Sequence, residues 1–217
     1  MKKAISILLV LLMVVSGTVF AFAADGAAET MISEDSGISP RSGGSRRLDV
    51  PKRIQPNQSN QCGPTCCQMI LEYFGVSKTL PTIVTEMANM ADHDYTHIDS
   101  ATTMLNRYIS GNHYKKYTLT SSISSFSNHL QASIDAGYPV LCQLETSALP
   151  VYNGASFTHY VVATGYLWGQ GGSTGGANIV YYNDPHYDSR YGGKKQCTWL
   201  EMETAIRNYY GLIVRGA

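Results

Sequence analysis

The hydrophobic period of this chain changes at Tyr138-Pro139, and that change limits the folds open to it. Before it, apolar residues recur at the spacing of helices with one buried face. After it they run or alternate as strands do. From residue 63 to 74 the helical pattern passes through Cys66, Met69, Ile70, Tyr73 and Phe74, and Gly75 then supplies a stop. Residues 80–90 and 99–109 carry further helical patterns, as does 123–136, closed by Gly137. Residues 140–144, 158–167, 179–182 and 212–214 are strand candidates, and 201–209 reads as a brief helix between the last two. Helices first and antiparallel-capable strands afterwards predict an α+β domain. Its expected layout is an N-terminal helical part packed on a C-terminal antiparallel β-sheet.

Ahead of that domain lie two segments of different character. Lys2 and Lys3 precede an apolar run over residues 4–15, broken only by Ser6, and Ala21 and Ala23 offer a small-residue cleavage site. Residues 1–23 therefore read as a signal peptide, which predicts a secreted or cell-surface protein starting near Ala24. The run is short for the ~20 residues of a spanning helix, so no stable membrane insertion is expected once it is removed. Residues 24–49 are rich in Gly, Ser, Asp and Glu, with almost no apolar periodicity, and read as a flexible arm or short propeptide. The remainder, 50–217, is enough for one well-buried domain.

Charge excludes one class of partner. The 16 basic and 16 acidic residues balance, and the pairs Arg46-Arg47 and Lys194-Lys195 are isolated in sequence. No basic stripe is left to follow a phosphate backbone, so nucleic acid is not an expected partner.

The chemistry-bearing residues fall in three short stretches. Cys62 opens the first helical pattern in Gln61-Cys62-Gly63-Pro64-Thr65-Cys66-Cys67. At a helix N-terminus the unpaired backbone N–H groups and the positive end of the dipole favour a thiolate, and Pro64 suits an early helical position. A base follows in Thr158-His159-Tyr160 and an acid in Asn183-Asp184-Pro185. Against this stands the ordinary reading of Cys62 as half of a disulfide in an exported protein. Five cysteines leave one unpaired if the others form two bridges, for instance Cys66 or Cys67 with Cys142 or Cys197, and full reduction is equally compatible. Cys66 and Cys67 diverge on a helix and the histidines have no repeated ligand spacing, so neither a metal nor another cofactor is expected. His93, His97, His113 and His129 have no acid or nucleophile nearby in sequence and read as surface or local hydrogen-bonding groups. The glycine-rich stretch 169–176 lacks the Lys and Ser/Thr of a phosphate loop and reads as a hairpin connection. Tyr152, Tyr181, Tyr182, Tyr187 and Tyr191 would furnish aromatic contacts beside a groove, or simply pack on strands.

In order and spacing, these stretches resemble a known family. Gln55-x6-Cys62-Gly63-Pro64, a helix ending in Tyr73-Phe74-Gly75, His159-Tyr160-Val161-Val162-Ala163-Thr164-Gly165-Tyr166 and Asn183-Asp184-Pro185 together resemble the bacteriocin-processing double-glycine peptidases and their secreted relatives. The resemblance spans residues 50–215 and implies a papain-like cysteine peptidase fold in a stand-alone, secreted member. It further implies Cys62 as nucleophile, His159 as general base and later general acid, and Asp184 as the group that orients the imidazole, with Asn183 the alternative. A glutamine upstream of the cysteine would complete the oxyanion hole, Gln55 being the preferred match and Gln58 the other. The implied activity is hydrolysis of peptide bonds through a thioester acyl-enzyme, acting on a peptide or protein substrate, with a monomer as the expected state. Two other readings stay open: a peptidoglycan amidase or endopeptidase, and a non-catalytic secreted binding protein on a papain-like fold.

Overall fold

The computed structural model describes residues 44–57, 59–90, 97–119, 125–169 and 178–216. Every described residue belongs to one compact unit, Ser39–Ala217. The expected signal peptide, most of the expected arm, Gln58, His93 and nearly all of the glycine-rich stretch lie outside the described residues.

Five α-helices are described: α1 (Cys62–Tyr73), α2 (Leu80–Ala88), α3 (Ile98–Tyr108), α4 (Ser125–Asp135) and α5 (Trp199–Arg207). Each has a local reason to start or stop. After α1, Gly75 takes φ 77°, a conformation that costs glycine little, and its N–H reaches Glu72 O at 2.9 Å. Thr79 caps α2 with Pro81 in the first turn, and Thr198 with Glu201 forms a reciprocal capping box on α5. Packing then holds the helices. Cys66, Cys67, Met69, Ile70 and Leu71 of α1 are inaccessible to solvent. Burying each large apolar side chain stabilises by about 1.5–3 kcal/mol, more than the propensity differences along a helix of this length.

The sheet has seven antiparallel strands: β1 (Gly44–Arg47), β2 (Lys115–Thr118), β3 (Val140–Glu145), β4 (Thr158–Trp168), β5 (Ile179–Asp184), β6 (Gly193–Thr198) and β7 (Leu212–Arg215). Their order is β2-β7-β3-β4-β5-β6, with β1 pairing to the far end of β4. Two short 3-10 turns, Thr146–Ala148 and Pro150–Tyr152, lead from β3 into β4. The central strand β4 is buried along nearly its whole length and packs against α1 and α4, while α5 packs on β3.

The α+β class is as expected, but the layout is not. Helices and strands are interspersed: β1 precedes every helix, β2 separates α3 from α4, and α4 and α5 sit among the strands in sequence. The strands that upset the expected order are polar and short. Gly44-Ser45-Arg46-Arg47 is exposed throughout and Lys115-Lys116-Tyr117-Thr118 nearly so, leaving no apolar alternation to reveal them. β1 also lies within residues 24–49, the segment expected to be an arm, and Leu48 and Val50 just after it are buried in the core.

Candidate active site

Sheet register brings the base and the acid together. Val162 lies opposite Asn183, so continuing one residue sets Asp184 beside Val161, two positions from His159 and on the same face. His159 Nε2–H donates to Asp184 Oδ1 at 2.9 Å, and both side chains are almost completely buried. That bond leaves Nδ1 as the ring nitrogen not engaged by Asp184, and Cys62 lies near enough to act on the ring's titration. Cys62 is the first residue of α1, half-buried, at a helix start where Gln61 supplies no side-chain cap. Cys62, His159 and Gln55 line one cavity of about 590 Å³.

Burial pushes the His159 imidazole down, but the hydrogen bonds to Asp184 and Cys62 and the charges of both outweigh it, and its pKa is raised to about 9. The grouping therefore favours an imidazolium at neutral pH. Asp184 is fixed from three directions: besides His159, Tyr152 O–H donates to Oδ2 at 2.7 Å and the His186 backbone N–H to Oδ1 at 2.8 Å. Asn183, the other candidate for the orienting role, does not turn to the histidine. Its Nδ2 donates instead to the carbonyls of Val50 at 2.9 Å and Pro51 at 3.4 Å.

Gln55 is held on both its backbone and its side chain. Its backbone N–H donates to Pro185 O at 2.7 Å, and Nε2 donates to Ser59 O at 2.9 Å. Because Ser59 O can only accept, the amide orientation is determined, and one Nε2 hydrogen is left over on the cavity wall.

The other cysteines are set apart from Cys62 by burial. No disulfide forms: all five thiols are free, so the possible bridges from Cys66 or Cys67 to Cys142 or Cys197 are not made. Burial pushes the thiols of Cys67 and Cys142 up to about 12 and raises those of Cys66 and Cys197 as well. Cys62 is the one cysteine that is not buried.

Sequence reasoning missed two participants. Tyr152 was legible only as one of many tyrosines, and it is a direct donor to Asp184. His186 lines the cavity with its ring centroid 5.9 Å from that of His159, and burial and the neighbouring His159 lower its pKa. Its place two residues after Asp184 was the available signal. The remaining described histidines have local roles: His97 Nδ1 accepts from Asp99 N, His129 Nδ1 accepts from Arg215 Nε, and the His113 ring packs on Tyr138 at a centroid distance of 5.1 Å. Phe157 and Tyr187, each more than a third exposed, add an aromatic wall to the cavity.

The antiparallel sheet, the helix that presents Cys62 and the strand that presents His159 define a papain-like α+β fold. Solved structures agree: a candidate C39-like peptidase from Bacillus anthracis superposes with a TM-score of 0.53 at 19% identity, covering 80% of this chain and 98% of that one. The bromelain protease from Ananas comosus superposes with a TM-score of 0.51 at 12% identity, again covering 80% and 98%. No curated protein gives a significant match to the sequence. The model of the Peptidase_C39 like family matches residues 47–215, and the chain belongs to that family. The family is one of cysteine-peptidase-like proteins. Among the described residues, no helix is long and apolar enough to cross a membrane.

Proposed function

We propose that this protein is a cysteine peptidase that hydrolyses peptide bonds, with Cys62 as nucleophile, His159 as acid and base, Asp184 as the orienting carboxylate and Gln55 as an oxyanion donor. The observation that carries the reading is the buried His159 ring bonded to Asp184 Oδ1, with the half-exposed Cys62 beside it on the wall of the same cavity. The Cys62 thiolate attacks the carbonyl carbon, and the carbonyl oxygen becomes an oxyanion facing the Cys62 backbone N–H and the spare Nε2 hydrogen of Gln55. His159, charged at neutral pH, gives its Nδ1 proton to the departing amine. The resulting thioester is then attacked by water, whose proton His159 takes. The substrate is a peptide or protein that meets the enzyme after export by the apolar N-terminal segment, and residues 24–43 are a candidate for removal during maturation. A kinship with the double-glycine peptidases belongs to the same proposal and rests on the order of the sequence motifs.

The test is covalent labelling of the reduced protein with an iodoacetamide-type probe, the labelled cysteine being mapped by mass spectrometry. Selective labelling of Cys62 at neutral pH, lost in His159→Ala, is the expected result. An inert Cys62, or labelling indifferent to His159, would turn the reading toward a non-catalytic secreted binding protein.

A further inference from the structure

Tyr152 ends the 3-10 turn Pro150–Tyr152, and only 1% of its surface reaches solvent. Its ring is stacked on Tyr191 at a centroid distance of 4.9 Å and meets the rings of His159 and His186 edge-on, each at 6.0 Å. Gripped in this way, the ring aims its hydroxyl at one atom, Asp184 Oδ2, 2.7 Å away. The other carboxylate oxygen, Oδ1, receives both His159 Nε2–H and the His186 backbone N–H. The two oxygens thus have separate tasks. A carboxylate held at one oxygen turns about its Cβ–Cγ bond, and one held at both does not.

We propose that Tyr152 is a positioning residue of this site: its phenol locks the rotation of the Asp184 carboxylate, and so keeps His159 in the tautomer and orientation that turn Nδ1 toward Cys62. The proposal rests on the cysteine-peptidase reading above. Tyr152 can fill this role at any working pH, because burial first and then the charge of Asp184 push its own ionisation far above the ordinary range, so the O–H is always present to donate. Around His159 the facing groups are Asp184, Cys62 and His186, and Tyr182 adds to those around Tyr152.

The experiment measures the rate of Cys62 carboxymethylation by iodoacetate in the full-length chain across about pH 6–10. Iodoacetate is an anion, so its attack by the thiolate is helped while His159 is charged, and the wild-type rate is expected to fall as pH rises through about 9. The same profile is recorded for His159→Ala, Asp184→Asn and Tyr152→Phe, with a thermal midpoint for each. Tyr152→Phe keeps the stacked ring and deletes only the donor. Its rate at neutral pH is expected to drop about tenfold, and its upper limb to move to lower pH, in the direction of Asp184→Asn. A Tyr152→Phe profile that overlays the wild type or moves upward overturns the proposal, even if the thermal midpoint falls, since Tyr152 is then a packing residue. If His159→Ala also leaves the profile unchanged, the cysteine-peptidase reading fails with it. If His159→Ala abolishes the limb and Tyr152→Phe does not, only the assignment of Tyr152 is lost. Should Tyr152→Phe not fold, tyrosine labelled with ¹³C at Cζ gives the same decision on the wild type. The Tyr152 signal is expected to titrate with His159 near pH 9 and to lose that inflection in His159→Ala. A flat Tyr152 signal in the wild type overturns the proposal.

Discussion

The charge on His159 is the single-residue quantity that governs this site. Burial opposes it, but hydrogen bonds and charges from Asp184 and Cys62 prevail and raise the imidazole from its ordinary 6.5 to about 9. Leaving-group protonation needs the imidazolium, so peptide hydrolysis is expected to decline as pH rises through about 9, measurable in a pH–rate profile. Stability follows the same group with a defined sign. A folded-state pKa above the unfolded value stabilises fully below about pH 6.5 and loses that contribution as pH climbs to about 9. The urea midpoint of the wild type should therefore fall between those limits by more than that of His159→Gln, and equal falls would show that His159 carries no linked proton. Gln55 offers a separate residue-scale expectation. Removing one oxyanion donor costs about 3 kcal/mol of transition-state stabilisation, so Gln55→Ala should lower kcat roughly a hundredfold while Cys62 stays open to alkylation. An unchanged kcat would assign the oxyanion to other donors.

At the scale of elements, a bulge in β4 links the site to the far end of the sheet. Ala163 pairs with Tyr182 and Gly165 with Tyr181, so Thr164 is an extra residue that switches which face the following side chains occupy. Beyond it Gly165 lies under β1, where an added Cβ would strike the Arg46 carbonyl oxygen and stand 2.7 Å from Arg47 Cα. Both are backbone atoms that cannot swing aside, so Gly165→Ala should destabilise by about 1–3 kcal/mol in urea melts. An unchanged midpoint would mean that β1 lifts away without loss. The missing side chain also lets Arg47 lie over the Tyr181 ring, 4.7 Å from its centroid. Arg47, Lys194 and Lys195 there line one cavity of about 440 Å³, although in sequence they read as isolated surface pairs. What could be read from the chain divides along the same physical line. The five helices and β3, β4, β5 and β7 announce themselves because each buries apolar residues at a regular period. β1, β2 and β6 are held by backbone pairing and carry Arg, Lys, Gln and Thr, so their sequences look like loops. Cys62, His159 and Asp184 were visible because each sits in a distinctive word. Tyr152 was not, because its role comes from a turn folded back over β5, and nothing local marks such a contact.

Across the whole molecule, the strap that runs from β1 to α1 is stitched to the exit of β5, and that seam sets the position of Gln55. Asn183 Nδ2 binds the carbonyls of Val50 and Pro51 across a sequence separation of 133 and 132 residues, and the Gln55 N–H binds Pro185 O. These ties flank Asp184 in sequence, so the segment that carries Gln55 is located by the same two residues that bracket the orienting carboxylate. Contacts of such long separation form only after the intervening sheet exists, because loop closure opposes them until other contacts offset its entropy. The strap is therefore expected to be the last part of the described domain to close and the first to open. Asn183→Ala tests the seam, since it removes the donor and leaves the buried Val50 carbonyl without it. Stability should fall by about 1–3 kcal/mol. The two halves of the chemistry should then separate. Cys62 and His159 lie on α1 and β4, so alkylation of Cys62 should keep its dependence on His159, whereas peptide hydrolysis should drop more steeply as Gln55 loses its place. Equal losses in alkylation and hydrolysis would mean that the seam holds the whole cleft, with Gln55 no more dependent on it than the catalytic pair.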